Sequence, residues 1–436
     1  MLAPDADGRI LSVPRLTLQR DPDDLLLPHV QRAVRAEIGI DRPALEVFVP
    51  DHTADEAPLP VLLVLEPDTA VGPGAAVGAA TAGGPADPID RADPSALADL
   101  HPLLRARAVD WAADLTGSRP VPALRPAWAR PGWTTRIAGW LDAQLAWSGR
   151  PRTSTLEQQR TWSLSALLRA DTDPGAVWLK SCMPRFHAEP SLGRWLSDHA
   201  ADAVPGVLAT DASDRLLLLE EMDGPTVKDA GGEETAPEAP GVLARIARLT
   251  EERVAELRAL GVHDRPLDQI ATLLRPVLLG PDPVAAGGLS LERSRAIVEW
   301  VERQARDIGR LGLSPTLVHG DFHAGNVARH RGRLTVFDWS DAVIGHPLMD
   351  AAAWIGEAAD DAALSARWET WVDAWSARVP PARLRPSLEP VLGVGAAHQL
   401  ISLDGILRAM EPALHHSLVW SAVAYTAILD RLVPRT

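Results

Sequence analysis

The stretch that most constrains this fold is residues 317–339, which read LVHGDFHAGNVARHRGRLTVFDW. Two strand-like runs on either side of Gly332 predict a β-hairpin. The second strand of this hairpin returns Asp338 to the neighbourhood of Asn326. The sequence therefore predicts that Asp321, Asn326 and Asp338 surround one small volume.

The residue types in this volume suit phosphoryl transfer. Amide and carboxylate oxygens are ligands for a hard cation such as magnesium, which fits Asn326 and Asp338. Asp321 is then left to accept a proton from a hydroxyl nucleophile. Phosphoryl transfer also needs a lysine on the donor phosphates, and Lys180 ends the strand-like run AVWLK in the right chain order. Glu189, at a predicted helix start, is the candidate partner of Lys180.

Two other interpretations of the loop stay open from the residues alone. His319, Asp321 and His323 form an H-x-D-x-H pattern, whose side chains would share one face of a strand and could hold a hydrolytic metal. Gly320 and Gly325 favour a loop over a strand. A polar turn without chemistry is the third interpretation.

The segment from residue 155 to residue 224 has the texture of an antiparallel sheet interrupted by one helix. Its predicted order is β-β-β-α-β-β, and beyond residue 240 the chain is mainly helical, which makes an α+β fold. The predicted strands are 155–162, 165–172, 176–182, 207–211 and 215–224, and the predicted helix is 189–201.

The first 125 residues predict an extra α/β-type unit of unknown function. The predictions here are a helix over 24–38, strands over 45–50 and 60–67, a loop over 71–95 and a helix over 95–115.

A tryptophan-bearing helix is predicted over residues 126–153. Trp133, Trp140 and Trp147 are seven residues apart and share one helical face. This face is interpreted as a docking stripe, with a ligand-stacking platform as the alternative.

Composition excludes several classes of protein. The single cysteine, Cys182, forms no disulfide within the chain and no thiolate-rich zinc site. A net charge of −15 argues against nucleic acid as a partner. The N-terminus lacks a secretory pattern, and no apolar run spans a bilayer, so we expect a cytoplasmic protein without membrane partners.

The segments HGDFHAGNV, VFDWSDA and HPLMDAAAW together resemble the aminoglycoside phosphotransferase/choline kinase family, over about residues 155–436. The resemblance implies a bilobal protein-kinase-like fold. Its antiparallel-sheet N-lobe would span 154–224 and its mainly helical C-lobe, with the catalytic loop, 225–436. Residues 1–125 and the connecting helix 126–153 would precede it.

The resemblance also implies a role for each matching residue. Asp321 matches the catalytic base, Asn326 and Asp338 the magnesium ligands, and Lys180 the lysine on the α- and β-phosphates, with Glu189 as its partner. The remaining implied roles are adenine contacts by the backbone of Glu220, Glu221 and Met222, and support of the loop by His319, His323 and Asp350, the last as an N-cap.

One part of the chain departs from the family pattern. The turn that would cover the nucleotide, residues 160–165, has no glycine. Ser163 and Ser165 would contact phosphate there instead. Asp341 is expected to be a turn residue, with a third acidic group near the metals as the alternative, and the acidic run 231–240 a solvated loop.

The predicted function is ATP- and Mg²⁺-dependent transfer of the γ-phosphate to a hydroxyl of a small molecule, with GTP as an alternative nucleotide. The acceptor is an amino sugar, an aminoglycoside-like compound or another metabolite. Two alternatives remain. One is a catalytically silent kinase-fold scaffold in a biosynthetic complex, suggested by the extra unit and the missing glycine. The other is a peptide Ser/Thr kinase.

Overall fold

The computed structural model describes residues 2–4, 10–12, 26–38, 42–48, 62–66, 88–89, 102–115, 117–281, 288–356, 358 and 360–434. The chain divides into two compact units. They are Met1–Met183 with Met410–Ser417, and Pro184–Ala409 with Leu418–Thr436. Most of the predicted loop 71–95 lies outside the described residues.

The first unit opens with a mixed sheet, as predicted for an α/β-type N-terminal part. Its strand order is β3-β4-β1-β2-β5, with β1 and β4 parallel and the other neighbours antiparallel. Apolar side chains of α1, β3 and β4 form its small core. The elements are β1 Leu2–Pro4, β2 Ile10–Ser12, α1 Leu26–Ile38, β3 Ala44–Phe48, β4 Leu62–Leu65, β5 Pro88–Ile89 and α2 Pro102–Leu115.

The tryptophan-bearing helix is present as α3, Trp133–Trp147, but its buried face is not the tryptophan stripe. Trp133 is buried with Ile137, Leu141 and Leu145, whereas the Trp147 side chain is 88% exposed. Trp140 is half-buried, and Trp147 is the last residue of the helix, where its side chain is exposed. The docking stripe follows the four-residue spacing instead.

Three antiparallel strands complete the first unit in the predicted order. They are β6 Glu157–Thr161, β7 Ser165–Ala170 and β8 Val177–Cys182. Alternate side chains of β7 are buried, as expected for a sheet with one face in the core. Gln158 of β6 joins these strands to β3, because its side chain accepts from Ala44 N at 2.7 Å and donates to Ala44 O at 2.9 Å.

A buried charge network ties distant parts of the first unit together. Arg107 of α2 contacts Glu46 of β3, and its Nη1 lies 3.0 Å from Oε2 of Glu411. Arg125 contacts the same Glu411 and also Asp114, at 2.7 Å. All five side chains are at most 9% exposed. Arg119, which is 35% exposed, also contacts Asp114, so three arginines face the three buried carboxylates.

The second unit is mainly helical, with short strands that carry the loops. It begins with α4, a strand pair and two further helices, and continues through a bundle of helices. The elements are α4 Glu189–His199, β9 Val207–Asp211, β10 Leu216–Glu220, α5 Ala239–Thr250, α6 Val254–Ala259, β11 His263–Arg265, α7 Ile270–Leu279, α8 Leu291–Gly309, β12 Thr316–Val318, β13 Val327–His330, β14 Arg333–Val336, β15 Val343–Gly345, α9 Ala351–Ile355, α10 Asp361–Trp375, α11 Pro381–Leu384, α12 Leu388–Arg408 and α13 His416–Leu432.

The central helix of this unit is α12. Its residues are apolar almost all round and are buried from Gly393 to Leu403, which is the pattern of a core helix. Among the described residues one stretch, Pro381–Arg408, is long and apolar enough to cross a membrane, and 78% of its most apolar window is buried inside the protein.

Two small strand groups position the loop after β12. Strand β15 lies between β11 and β12, parallel to the first and antiparallel to the second. Strands β13 and β14 form the predicted hairpin. Arg331 and Gly332 at its turn both have positive φ, 50° and 74°, as in the type I′ turns that suit two-residue hairpins.

The predicted α+β architecture is confirmed. An antiparallel sheet precedes a mainly helical region, and a mixed α/β part precedes both.

Candidate active site

The loop between β12 and β13, residues 319–326, is fixed from beneath by Asp350. The two carboxylate oxygens of Asp350 each accept a backbone N–H at 2.8 Å, one from His319 and one from Gly320. Burial raises the pKa of Asp350 to about 7, against the effect of these two hydrogen bonds. The predicted support of the loop by Asp350 thus has a geometric basis, but Asp350 makes no side-chain cap on its own helix, α9. The expected N-cap bond is wrong because the carboxylate is used by the loop.

His319 is completely buried and acts as a brace inside the loop. Its Nε2 lies 2.9 Å from the carbonyl oxygen of Phe337, and its Nδ1 lies 3.3 Å from the backbone N of Asp321. These partners require a neutral ring with the proton on Nε2. Burial lowers the pKa of His319, in agreement with this tautomer.

Asp321 is the carboxylate of the loop, and its side chain is 43% exposed. Asn326 Nδ2 donates to the backbone oxygen of Asp321 at 2.9 Å and lies 3.3 Å from Oδ2. His323 Nε2 lies 3.4 Å from the same Oδ2, while its Nδ1 accepts from Gly325 N at 3.0 Å. Asn326 and His323 therefore hold one oxygen of Asp321 and orient the carboxylate.

The hairpin brings the segment of Asp338 back to Asn326, as the sequence predicts. Phe337 N donates to the backbone oxygen of Asn326 at 3.0 Å. Asp338 has a φ of 63°, in the left-handed region that non-glycine residues rarely adopt. Its Oδ1 accepts from Ser340 Oγ at 2.6 Å. A strained backbone at a carboxylate beside the loop marks Asp338 as a functional candidate.

Asp341 belongs to the site and is more than a turn residue. A Cβ on Gly320, whose φ is 88°, would lie 2.1 Å from the backbone oxygen of Asp341, so only glycine fits this approach. Burial raises the pKa of Asp341 to about 7, and the carboxylates of Asp321 and Asp338 add to the shift. Asp341 lies in a turn, as expected, and this turn folds back onto Gly320.

The acidic run 231–240 is not a purely solvated loop. Glu233 is 7% exposed, lies 3.2 Å from Arg367 and accepts from Ala324 N at 3.4 Å. The run thus includes a buried glutamate that supports the loop 319–326 and pairs with an arginine of α10. The expected solvated loop is wrong at this residue.

A hydrolytic H-x-D-x-H metal site is not formed. Both nitrogens of His319 are engaged in the loop. Across the part of the chain that the structure describes, no three His, Cys, Asp or Glu side chains are grouped to hold a metal. A magnesium ion bound by oxygens is a different case, because Asn326 uses its Nδ2 for Asp321 and leaves Oδ1, a hard ligand atom, for a cation.

Glu189 is the first residue of α4, and its side chain is buried. The helix thus begins at the predicted residue and ends at His199, two residues before the predicted end.

The remaining predicted residues are Lys180, Ser163, Ser165, Glu220, Glu221 and Met222. Lys180 lies on β8 of the first unit, opposite Leu167. Ser165 Oγ accepts from Trp162 Nε1 at 3.0 Å, and Ser163 is 9% exposed and lines a cavity of about 180 Å³ in the first unit. Glu220, Glu221 and Met222 end and follow β10, all partly buried. The roles of these residues stay predictions.

Sequence reasoning missed three residues that support or surround the loop. Gln399 Nε2 donates to the backbone oxygen of Gly320 at 2.7 Å. Arg265, at the end of β11, and Arg185 both act on the pKa of Asp341. The sequence pointed to one of them, Arg185, only through its position in the chain between Lys180 and Glu189.

Comparison with known proteins gives the site its context. Residues 171–385 match the family model described as "Phosphotransferase enzyme family". This segment of the chain belongs to that family. The protein is a phosphotransferase enzyme with a protein-kinase-like fold, and the matched segment includes Lys180, the loop and the hairpin.

Solved structures similar to this phosphotransferase include several small-molecule kinases. A macrolide 2′-phosphotransferase type I is 17% identical, with a TM-score of 0.45 and coverage of 69% of this chain and 98% of that chain. The aminoglycoside phosphotransferase APH(4)-Ia, in a complex with ADP and hygromycin B, is 18% identical, with a TM-score of 0.45 and coverage of 69% and 99%. An ethanolamine kinase of Plasmodium vivax is 12% identical, with a TM-score of 0.46 and coverage of 63% and 80%. Similarity at this level indicates nothing about the substrate of this chain. A search of curated proteins found no match.

Proposed function

We propose that this phosphotransferase moves the γ-phosphate of ATP, with magnesium, to a hydroxyl of a small molecule. GTP is an alternative donor. The observation that carries the proposal is the arrangement at Asp321. Its carboxylate is accessible, and Asn326 and His323 hold one of its two oxygens.

Asp321 is proposed to act as the general base. Oδ2 is held by Asn326 and His323, and among the described residues Oδ1 has no hydrogen-bond partner. Oδ1 can therefore accept the proton of an acceptor hydroxyl as its oxygen bonds to the γ-phosphorus and the bond to the leaving ADP oxygen breaks. A base of this kind typically contributes about 10²–10⁴-fold to the rate.

Asn326 and Asp338 are proposed to hold magnesium through oxygen atoms. The ion would neutralise charge on the phosphate oxygens. Asn326 would thereby have two tasks, since its Nδ2 orients Asp321 while its Oδ1 faces the cation.

Lys180, with Glu189 as its partner, is proposed to hold the α- and β-phosphates. Glu220, Glu221 and Met222 would hold the adenine through their backbone, and Ser163 and Ser165 would contact phosphate. Supporting this assignment are their chain order and the family match over Lys180. We also propose a cytoplasmic location, which fits the single cysteine, Cys182, and its burial.

The test is turnover of Mg-ATP over a panel of amino sugars, aminoglycosides, sugars, choline-like alcohols and other hydroxylated metabolites. Asp321→Asn should lower turnover about 10²–10⁴-fold and leave nucleotide binding intact, because the amide cannot accept the proton. The matched control is Asp307→Asn, an exposed aspartate of α8 paired with Arg310.

Absence of binding at millimolar Mg-ATP contradicts the proposal, as does wild-type turnover in Asp321→Asn. Nucleotide binding without turnover on any acceptor favours the silent scaffold. Transfer to peptide serine or threonine favours the peptide kinase.

A further inference from the structure

Four basic side chains gather beside the catalytic loop. Arg185 lies in the 3₁₀ turn Pro184–Phe186, and Arg265 ends β11. The rings of His187 and His263 are 5.3 Å apart, edge to face. Burial and then His187, Arg185 and Arg265 lower the pKa of His263, so the other three groups all lie within electrostatic range of this ring. The chain has a net charge of −15, so this basic cluster is opposite in charge to the protein as a whole.

Arg265 is a buried arginine with neutral partners. Its side chain is 7% exposed, and Nη1 donates to the backbone oxygen of His398 at 3.0 Å, to Ser402 Oγ at 3.1 Å and to His398 Nδ1 at 3.1 Å. Among the described residues no carboxylate lies within ion-pair distance of its guanidinium. A buried charge without a counter-charge is costly, which makes an anionic partner the expected complement.

The guanidinium of Arg185 rests on a glycine of α12. A Cβ built on Gly405 would lie 2.4 Å from Cζ and Nη1 and 2.5 Å from Nη2 of Arg185. Glycine destabilises the interior of a helix relative to alanine. At this position its missing Cβ leaves room for the guanidinium. Within the described part of the chain Arg185 makes no hydrogen bond and no ion pair, and its donors remain available.

Both arginines lie along one face of α12 next to the catalytic loop. His398, Ser402 and Gly405 are four and then three residues apart and share that face. Gln399, adjacent to His398, donates to Gly320 in the loop at 2.7 Å. The arginines therefore contact α12 about one turn of helix apart, and both lie within electrostatic range of Asp341, whose backbone approaches Gly320.

The acidic groups around the cluster do not neutralise it. Asp264 forms its ion pair with Arg258 at 2.8 Å, and Asp404 forms its pair with Arg408 at 2.8 Å. Asp341 interacts electrostatically with both arginines, and it also interacts with the carboxylates of Asp321 and Asp338.

We propose that Arg185 and Arg265 form a subsite for an oxyanion, a carboxylate or a phosphate, carried by the acceptor whose hydroxyl meets Asp321. The proposal rests on the proposed function for the presence of that acceptor. A guanidinium binds carboxylate and phosphate through paired N–H donors, and two of them disfavour the polycationic acceptors by repulsion. The acceptor class is thus a hydroxylated acid or a phosphorylated alcohol.

The direct test measures binding of inorganic phosphate and of acetate to the full chain saturated with Mg²⁺ and a non-hydrolysable ATP analogue. Saturation removes the nucleotide phosphate site from the measurement. The wild type should bind at least one of the two anions, and the stronger one identifies the acceptor's group as phosphate or carboxylate.

Two variants localise that binding. Arg185→Met should weaken it about tenfold or more, since it removes charge-assisted hydrogen bonds. Gly405→Ala should do the same by displacing the guanidinium while strengthening the helix, so a folding failure of the first variant does not obscure the result. The control is Arg408→Met, an arginine of the same helix that is 58% exposed.

Absence of anion binding in the wild type, or equal binding in Arg185→Met, overturns the subsite. A second measurement compares turnover with glycerol, glycerate, glycerol 3-phosphate and ethanolamine. Turnover should be highest with one of the two anionic compounds, glycerate or glycerol 3-phosphate. If Arg185→Met lowers acceptor-independent ATP hydrolysis as much as transfer, the arginine serves the transferred phosphoryl group and the subsite is wrong. If the wild type binds the anion but turns over no ATP with any acceptor, the proposed function is contradicted and the anion site is still supported.

Discussion

At the scale of single residues, a buried histidine precedes the turn that carries Asp350. His346, the residue before the 3₁₀ turn Pro347–Asp350, accepts from Leu348 N at 3.4 Å through Nδ1. Its Nε2 has no hydrogen-bond partner among the described residues. Burial lowers the pKa of His346 from 6.5 to about 4, so the ring is neutral in the folded protein.

This shift has a defined consequence for stability. Since the pKa of His346 is lower in the folded chain, the unfolded chain binds more protons between pH 6.5 and about pH 4. Stability from this group is present above pH 6.5 and is lost as the pH falls toward 4. Asn in place of His346 can still cap the turn and does not titrate. We expect the free-energy difference between wild type and His346→Asn to shift in favour of the variant as the pH falls through this window.

The measurement is denaturant unfolding of both proteins from pH 4 to pH 8. A difference that stays constant with pH would show that His346 does not titrate in this way.

At the scale of elements, the loop and the segment after β14 approach each other through Gly320. The positive φ of 88° and the 2.1 Å distance from a built Cβ to Asp341 O leave no room for a side chain. We expect Gly320→Ala to lower the free energy of unfolding by about 1–3 kcal/mol, because the loop must shift away from Asp341. Turnover should fall with it, since Asp321 is the next residue.

The matched control is Gly241 of α5, where a built Cβ has no neighbour within 4 Å. Gly241→Ala should raise the free energy of unfolding by up to about 1 kcal/mol and leave turnover unchanged. Chemical denaturation and an ATP turnover assay compare the two. An unaltered stability of Gly320→Ala would contradict the close approach.

At the scale of the whole molecule, the chain returns near its end to the unit that it began. Glu411 contacts Arg107 and Arg125, which lie 304 and 286 residues earlier in the chain. Glu411→Gln removes the carboxylate that both arginines share. We expect a loss of about 1–3 kcal/mol in the free energy of unfolding, because Arg107 and Arg125 keep Glu46 and Asp114 but each loses a charge-assisted hydrogen bond inside the buried network.

The comparison is Asp142→Asn, which breaks an ion pair to Arg152 at 2.8 Å whose aspartate is 48% exposed. That change should cost about 0–1 kcal/mol. Equal effects of the two substitutions on the denaturation midpoint would show that the buried network contributes no more than a surface pair.

The sequence by itself determined the parts of this protein that depend on local geometry. Helical and strand periods gave the element order from residue 155 to residue 224, and the hairpin around Gly332 joined Asp338 to the loop of Asp321 and Asn326. These groups are separated by less than twenty residues, so the pitch of a strand and the reach of a turn decide their placement.

Only the tertiary structure decided which distant groups surround that loop. The carboxylate of Asp350 accepts from the loop instead of capping a helix, and the buried Glu233 accepts from Ala324 N. Arg265 of β11 packs against α12, and among the described residues no acidic group lies within ion-pair distance of it. The buried face of α3 likewise avoids Trp147. The contacts of Asp350, Glu233 and Arg265 do not repeat at a helical or strand period. They follow from which surfaces pack together and from the need of each buried charge or N–H group for a partner, and both depend on the whole folded chain.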